Sequence, residues 1–285
     1  MPGPDLGGPP DLYLKKGDLF ATARGMLTLC DATLEVVDLT DVMTPLGPVA
    51  VFRTLSDGYV QLAGPSAAGQ LPPLTRRFQE LGAQRVLIDG AAGRKSLAGA
   101  GVEGVALLCT GASLDRDMEL VVAETAHTCW LFARKRPEST ALCAALDGQE
   151  ARFALFTPEG APVELPLEES GAPKWNKLPR RPLVLWAAGG IMDPLLKTLA
   201  RRGAPTTLVA ADATHVLAGR AALDLFLRNG GELRVRRELT IAAVGANPWS
   251  AYGWHFEPDK FVRALREVID LPVVNVKSNG MKSSR

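Results

Sequence analysis

Little in this chain favours one sign of charge: 32 Lys and Arg stand against 31 Asp and Glu, a formal net charge of +1. A nucleic-acid surface shows clustered Lys/Arg excess, so no nucleic-acid partner is expected. The short basic runs Arg134-Lys135-Arg136 and Arg234 to Arg237 read as solvated helix and strand ends. Cysteine is scarce, and Cys30, Cys109, Cys129 and Cys143 form no CxxC pair, which speaks against a disulfide framework or a zinc ribbon. Cys109 and Cys129 lie in apolar runs, where a thiol packs as a small core residue. There are only three histidines, His127, His215 and His255, with no HExxH spacing, so no zinc site is expected. No apolar stretch approaches the roughly 20 residues that span a bilayer, and MPGPDLGGPP lacks a charged-then-apolar signal profile. These absences describe a soluble, cytoplasmic protein with no membrane partner. Also missing are a G-x-S-x-G nucleophile elbow, a G-x-G-x-x-G after a strand, and a complete phosphate loop.

What is present is a globular composition, 47% hydrophobic over 285 residues, enough for one large or two medium domains. After a Pro/Gly-rich start (residues 1–16), the pattern predicts a helix over 18–30, with Leu19, Ala23 and Leu27 roughly on one face. Short β-type runs follow at 34–39, 49–54 and 59–62, then a helix over 74–81. Buried strands are expected at 86–88 and 105–108. A long amphipathic helix should follow Ser113, a good N-cap, with Asp115 and Asp117 at the positive end of its dipole. Between residues 157 and 182 six prolines, two glycines and a mixture of charges mark the expected domain boundary. Beyond it come strands at 183–186, 206–210, 239–244 and 273–276, alternating with helices begun by Asp193-Pro194, Ala221 and Pro258. That alternation predicts an α/β fold with a mostly parallel sheet.

Ligands in such sheets bind beyond the carboxyl ends of strands, which directs attention to four loops. The first, VLIDGAAGRKSLAG (residues 86–99), imitates a phosphate loop through Gly90, Gly93, Arg94, Lys95 and Ser96. Two residues rather than four separate its glycines, and Arg94 comes before Lys95, so the backbone cannot wrap a phosphate in the usual way. Its strand ends in Asp89, which suits a Mg²⁺-holding acid of a nucleotide site or, equally, a plain turn. The second, Thr110-Gly111-Ala112-Ser113, offers N–H groups and hydroxyls for an anion, or for capping alone. The third, Ala63-Gly64-Pro65-Ser66, is a turn by composition. The fourth, residues 245–256, concentrates Asn247, Trp249, Tyr252, Trp254 and His255. It is either a ligand wall or partner surface, or an aromatic plug for the core.

Taken in order, KGDLFATARGMLTLCDATLEVVDLTDVMTPLG, GYVQLAGP, VLIDGAAGRKS, CTGASLDRDMELVVAETAHT and AVGANPWSAYGWHFEPDKF resemble the B-type subunit of lysine 5,6-aminomutase reactivases. The similarity runs from about Lys16 to Val276. It implies an accessory subunit that restores an adenosylcobalamin-dependent lysine- or ornithine-type aminomutase by ATP- and Mg²⁺-linked exchange of damaged cobalamin. The aminomutase and a second, mismatch-repair-like ATPase subunit are the implied partners. The implied layout is a flexible 1–16, a P-loop-NTPase-like α/β domain over 17–156, a linker over 157–182 and a smaller α/β domain over 183–285. The family places a strand, a P-loop and a helix ahead of the matched part, and Met1 to Lys16 holds no such motif. Asp89 then matches the acidic, metal-side motif, and Thr110 to Ser113 a loop around the same site. Two other readings stand beside this one: an amide-forming ligase of the P-loop superfamily, suggested by IDGAAG, and a non-catalytic partner-binding module.

Overall fold

The computed structural model describes residues 12–65, 67–89 and 104–276, and the chain divides into two compact units at Glu103/Gly104. The first unit is antiparallel. Strands β1 (Leu12–Leu14), β2 (Leu19–Ala23), β3 (Leu34–Thr44), β4 (Gly47–Thr54) and β5 (Gly58–Val60) pair as β1-β5 and as β2-β4-β3. Parallel neighbours need a crossover of a dozen or more residues. The two residues between Thr44 and Gly47, which face each other across the ladder, allow only a hairpin. Helix α1 (Leu71–Glu80) covers one face of β2-β4-β3, where Leu19, Ala21 and Val51 meet Leu74 and Phe78. Phe20, Ala50 and Phe52 pack on the other face with Val60. This explains why residues 18–30 form β2 followed by a 3₁₀ turn at Arg24–Leu29 rather than a helix. A strand buried on both faces reads as a continuous apolar run, and such a run also satisfies helical spacing.

The second unit is mixed α/β. Its elements in chain order are β6 (Ala106–Gly111), α2 (Met118–Phe132), α3 (Thr140–Asp147), β7 (Phe153–Phe156), β8 (Pro162–Val163), β9 (Leu183–Ala187), α4 (Asp193–Ala200), β10 (Thr206–Ala210), α5 (Arg220–Arg228), β11 (Gly231–Val235), β12 (Ile241–Asn247), α6 (Pro258–Val268) and β13 (Val273–Asn275). One sheet runs β11-β10-β9-β7-β8, with β9, β10 and β11 parallel and β7 and β8 antiparallel additions. The other, β13-β12-β6, is wholly parallel. Val184, Trp186 and Val209 pack with Leu142 and Leu146 of α3, while Leu196, Leu223 and Phe226 of α4 and α5 are also fully buried. The fold is therefore mixed α/β with several sheets, one of them wholly parallel, rather than one mostly parallel sheet. Residues 157–182 do not separate domains: they hold β8, and β7 before them pairs directly with β9 after them. Their prolines and glycines shape turns inside one sheet.

Two further expectations change. Residues 86–88 make no strand, and Leu87 is 92% exposed, because no described strand pairs with them. Cys109 is exposed rather than core, since it shares with Leu107 a face of β6 that no described element covers. No described helix is long and apolar enough to cross a membrane.

Candidate aromatic hairpin and its supporting loops

β6 and β12 run side by side, so the loops after them emerge at the same carboxyl edge. The register carries Thr110 beside Ala246 and Gly111 beside Asn247. A side chain at position 111 is impossible without movement, because a Cβ there would sit 2.2 Å from Asn247 O. The close approach lets Ala112 N donate to Asn247 O at 3.0 Å. Ser113 does not cap α2. Its Oγ accepts from Ala251 N at 3.1 Å, while Asp117 caps the helix through Glu119 N at 2.8 Å and Leu120 N at 3.3 Å.

The loop after β12 is a small hairpin. Phe256 N donates to Pro248 O at 2.8 Å and Ser250 N to Trp254 O at 2.8 Å, and Gly253 turns the chain at φ +91°. Its rings stack in two pairs: Trp249 on His255 with centroids 4.7 Å apart, and Tyr252 on Trp254 at 5.5 Å. The Arg116 guanidinium lies over Trp254 at 4.7 Å. The Trp254 indole N–H donates to Ala112 O at 2.9 Å. Phe256 anchors the hairpin against Phe261 of α6. Arg116, Tyr252, Gly253, Trp254, His255 and Phe256 line a shallow cleft of about 280 Å³. Sequence reasoning set core plug against contact surface, and the hairpin is divided between them: Phe256 is buried, while Trp249, Tyr252 and His255 are exposed.

Of the residues expected to seat a nucleotide, Asp89, Thr110, Gly111 and Ser113 are among the described ones. Thr125 gives its hydroxyl proton to Val121 O at 2.6 Å, so buried Thr110 donates to Thr125 across 2.7 Å and is turned inward. Both nearby helix starts are closed by carboxylates, α2 by Asp117 and α6 by Glu257, which accepts from Asp259 N and Lys260 N. A helix start attracts anions through its unpaired N–H groups and dipole, and an acidic cap occupies the first and opposes the second. Asp89 is exposed and lies in the first unit, whereas Thr110, Gly111 and Ser113 lie in the second. Gly90, Gly93, Arg94, Lys95 and Ser96 fall outside the described residues. Among the described residues no cluster of three His, Cys, Asp or Glu side chains could hold a metal.

The sequence reading missed a second cluster entirely, around Asp212. That carboxylate is fully buried, ion-paired to Arg237 and hydrogen-bonded to His215 Nδ1. The available signal was an aspartate just past an apolar strand, followed by Thr214 and His215. No family model, no curated protein and no solved structure matches this chain.

Proposed function

We propose that this chain is a binding subunit, of the kind that helps reactivate a cobalamin-dependent aminomutase, and that the hairpin from Trp249 to His255 is its contact surface. One observation carries the contact surface: the rings are already stacked and fixed by hydrogen bonds from two loops, yet Trp249 and Tyr252 stay about half exposed. Rigid aromatic anchors lose little conformational entropy on binding and dominate interface hot spots. The acidic caps beside the hairpin favour a protein partner over a phosphate at this place.

The choice of aminomutase rests on the ordered phrases from Lys16 to Phe261 and on the P-loop-related ancestry they imply. On this reading the mismatch-repair-like ATPase subunit grips ATP and Mg²⁺, and this chain joins it to the aminomutase during cobalamin exchange. The test is titration of the chain against the aminomutase and against the ATPase subunit, using a Trp249→Ala/Tyr252→Ala variant. Both side chains are exposed, so the variant keeps its fold, and affinity for one partner falls at least tenfold. Unchanged affinity for both, or no complex with the unaltered chain, overturns the proposal.

A further inference from the structure

The sheet β13-β12-β6 is wholly parallel, and one of its faces is bare. Side chains alternate across a strand, and the register sets Leu107 beside Ala243, and Cys109, Gly245 and Val274 in one row. A Cβ on Gly245 would stand 3.0 Å from Val276 Cγ1 and 3.5 Å from Cys109 Sγ, so Val276 shares that face. The opposite face holds Val244, Ala246 and Val273, all buried. There Thr110 hydrogen-bonds Thr125 of α2, and α2 packs against α6, the crossover from β12 to β13. On the first face Leu107 is 69% exposed and Val274 50%, with Cys109 exposed between them. Parallel sheets are apolar on both sides because both sides are normally covered. A contiguous uncovered apolar patch marks an interaction surface.

Every described helix is engaged elsewhere. α1 is committed to β2-β4-β3, and α3 to Val184, Trp186 and Val209. α4 and α5 pack on each other, with α5 on β11. α2 and α6 already fill the other face. A helix that covers a sheet needs three or four large apolar side chains per two turns on one side. The stretches outside the described residues are poor in them: 1–11 holds Met1 and Leu6, 90–103 holds Leu97 and Val102, and 277–285 holds Met281.

The chemistry of the face selects its occupant. Its side chains carry no charge and no strong hydrogen-bonding group. A segment lying on them must satisfy its own N–H and C=O groups, which a helix does and a single extended strand does not. The middle row, Ala243 and Gly245, is low, and larger side chains on β6 and β13 flank it. The outer strands stand about 10 Å apart, and a helix with its side chains is about 10–12 Å wide. The six residues of β6 extend roughly 20 Å, the length of about four helical turns. Three strands of that length present about 300 Å². A stable dimer needs roughly 800 Å² from each partner, and smaller contacts are transient. A second copy would also set one low middle row against another and leave a hollow, which the apolar stripe of a helix fills. We propose that this face seats an amphipathic helix of a partner protein, laid along the strands with an uncharged stripe over Ala243 and Gly245. The seat uses neither Trp249 nor Tyr252, so it stands whether or not the hairpin is a contact surface.

Thiol-reaction kinetics on the whole chain test this, because Cys109 sits in the seat. The probe is an acetylated and amidated Lys/Glu peptide of about 14 residues with leucines at i, i+3, i+4, i+7 and i+11. A scrambled peptide without the stripe is the control. The striped peptide is expected to slow the Cys109 reaction saturably and at least tenfold, and the scrambled one to leave it unchanged. Leu107→Lys and Val274→Lys, each at a position at least half exposed, should keep the melting temperature of the unaltered chain and abolish the protection. No protection, equal protection by both peptides, or protection that survives both substitutions overturns the proposal. So does a melting temperature that falls by several degrees in both variants, which would mean that the chain itself covers the face. A concentration-dependent dimer in sedimentation equilibrium that Leu107→Lys dissolves would give the face to a second copy and overturn it as well.

Discussion

The Trp254 indole N–H donates to the Ala112 carbonyl at 2.9 Å, joining the loop after β12 to the loop after β6 across 142 positions of sequence. With Ser113 Oγ accepting from Ala251 N, it fixes where the ring pairs stand. Trp254→Phe keeps an aromatic ring for Tyr252 and Arg116 but removes the donor. A neutral hydrogen bond contributes about 1 kcal/mol net, and urea denaturation should show a loss of that order. A midpoint identical to that of the unaltered chain would mean the two loops are held together by other contacts.

Gly111 has a sharper constraint. A methyl group there would stand 2.2 Å from Asn247 O and 3.0 Å from Asn247 Cβ, so the backbone of β6 or β12 must move. Overpacking of this kind costs roughly 1–3 kcal/mol. Because Asn247 begins the hairpin, Gly111→Ala should also loosen the stacked rings. The expected result is a lower urea midpoint together with a weaker near-ultraviolet circular dichroism signal.

How much of this was legible in the sequence depends on how local each cause is. β9, β10, α5 and α6 show in their own apolar spacing, because each buries a face set by nearby residues. The hairpin announced itself as four large rings within a few residues of a strand end. β2 was hidden because Leu19 and Ala21 face α1 while Phe20 faces the opposite core, so period two and period 3.6 both fit. The false boundary over 157–182 came from composition alone, and pairing of β7 with β9 is a tertiary fact. Of Asp212 only its place just past an apolar strand was visible, since its buried charge is balanced by Arg237, 25 positions further on. The inward turn of Thr110 likewise depends on Thr125, one helix later.

Asp212 should leave a signature in the pH dependence of stability. Its carboxyl is lowered in the folded chain, so its contribution is fully present above the unfolded value near 4 and is lost as pH falls through the depressed folded value. Asp212→Asn removes the charge and leaves Arg237 without its counter-ion. Stripping one partner from a buried pair costs about 3–5 kcal/mol. Arg237 is 45% exposed and can recruit water, which places the loss near the lower end. Denaturation at pH 7 and at pH 3 should show a large gap between variant and unaltered chain at pH 7 and a smaller one at pH 3. A gap that stays constant with pH would mean the carboxyl is not ionised in the folded protein.

The four thiols should separate by reactivity. Cys129 is buried in α2, and burial pushes its thiol up, so thiolate is scarce and access is closed. Cys30 and Cys143 are partly buried, and their S–H groups donate to Met26 O at 3.5 Å and Pro137 O at 3.2 Å. Cys109 stands exposed on the edge strand β6. Titration of the native chain with an aromatic disulfide reagent should therefore show a fast phase from Cys109, a slower one from Cys30 and Cys143, and a Cys129 reaction only in urea. Cys109→Ser should abolish the fast phase and leave the others unchanged. If the fast phase survives that substitution, β6 does not present its Cys109 face to solvent.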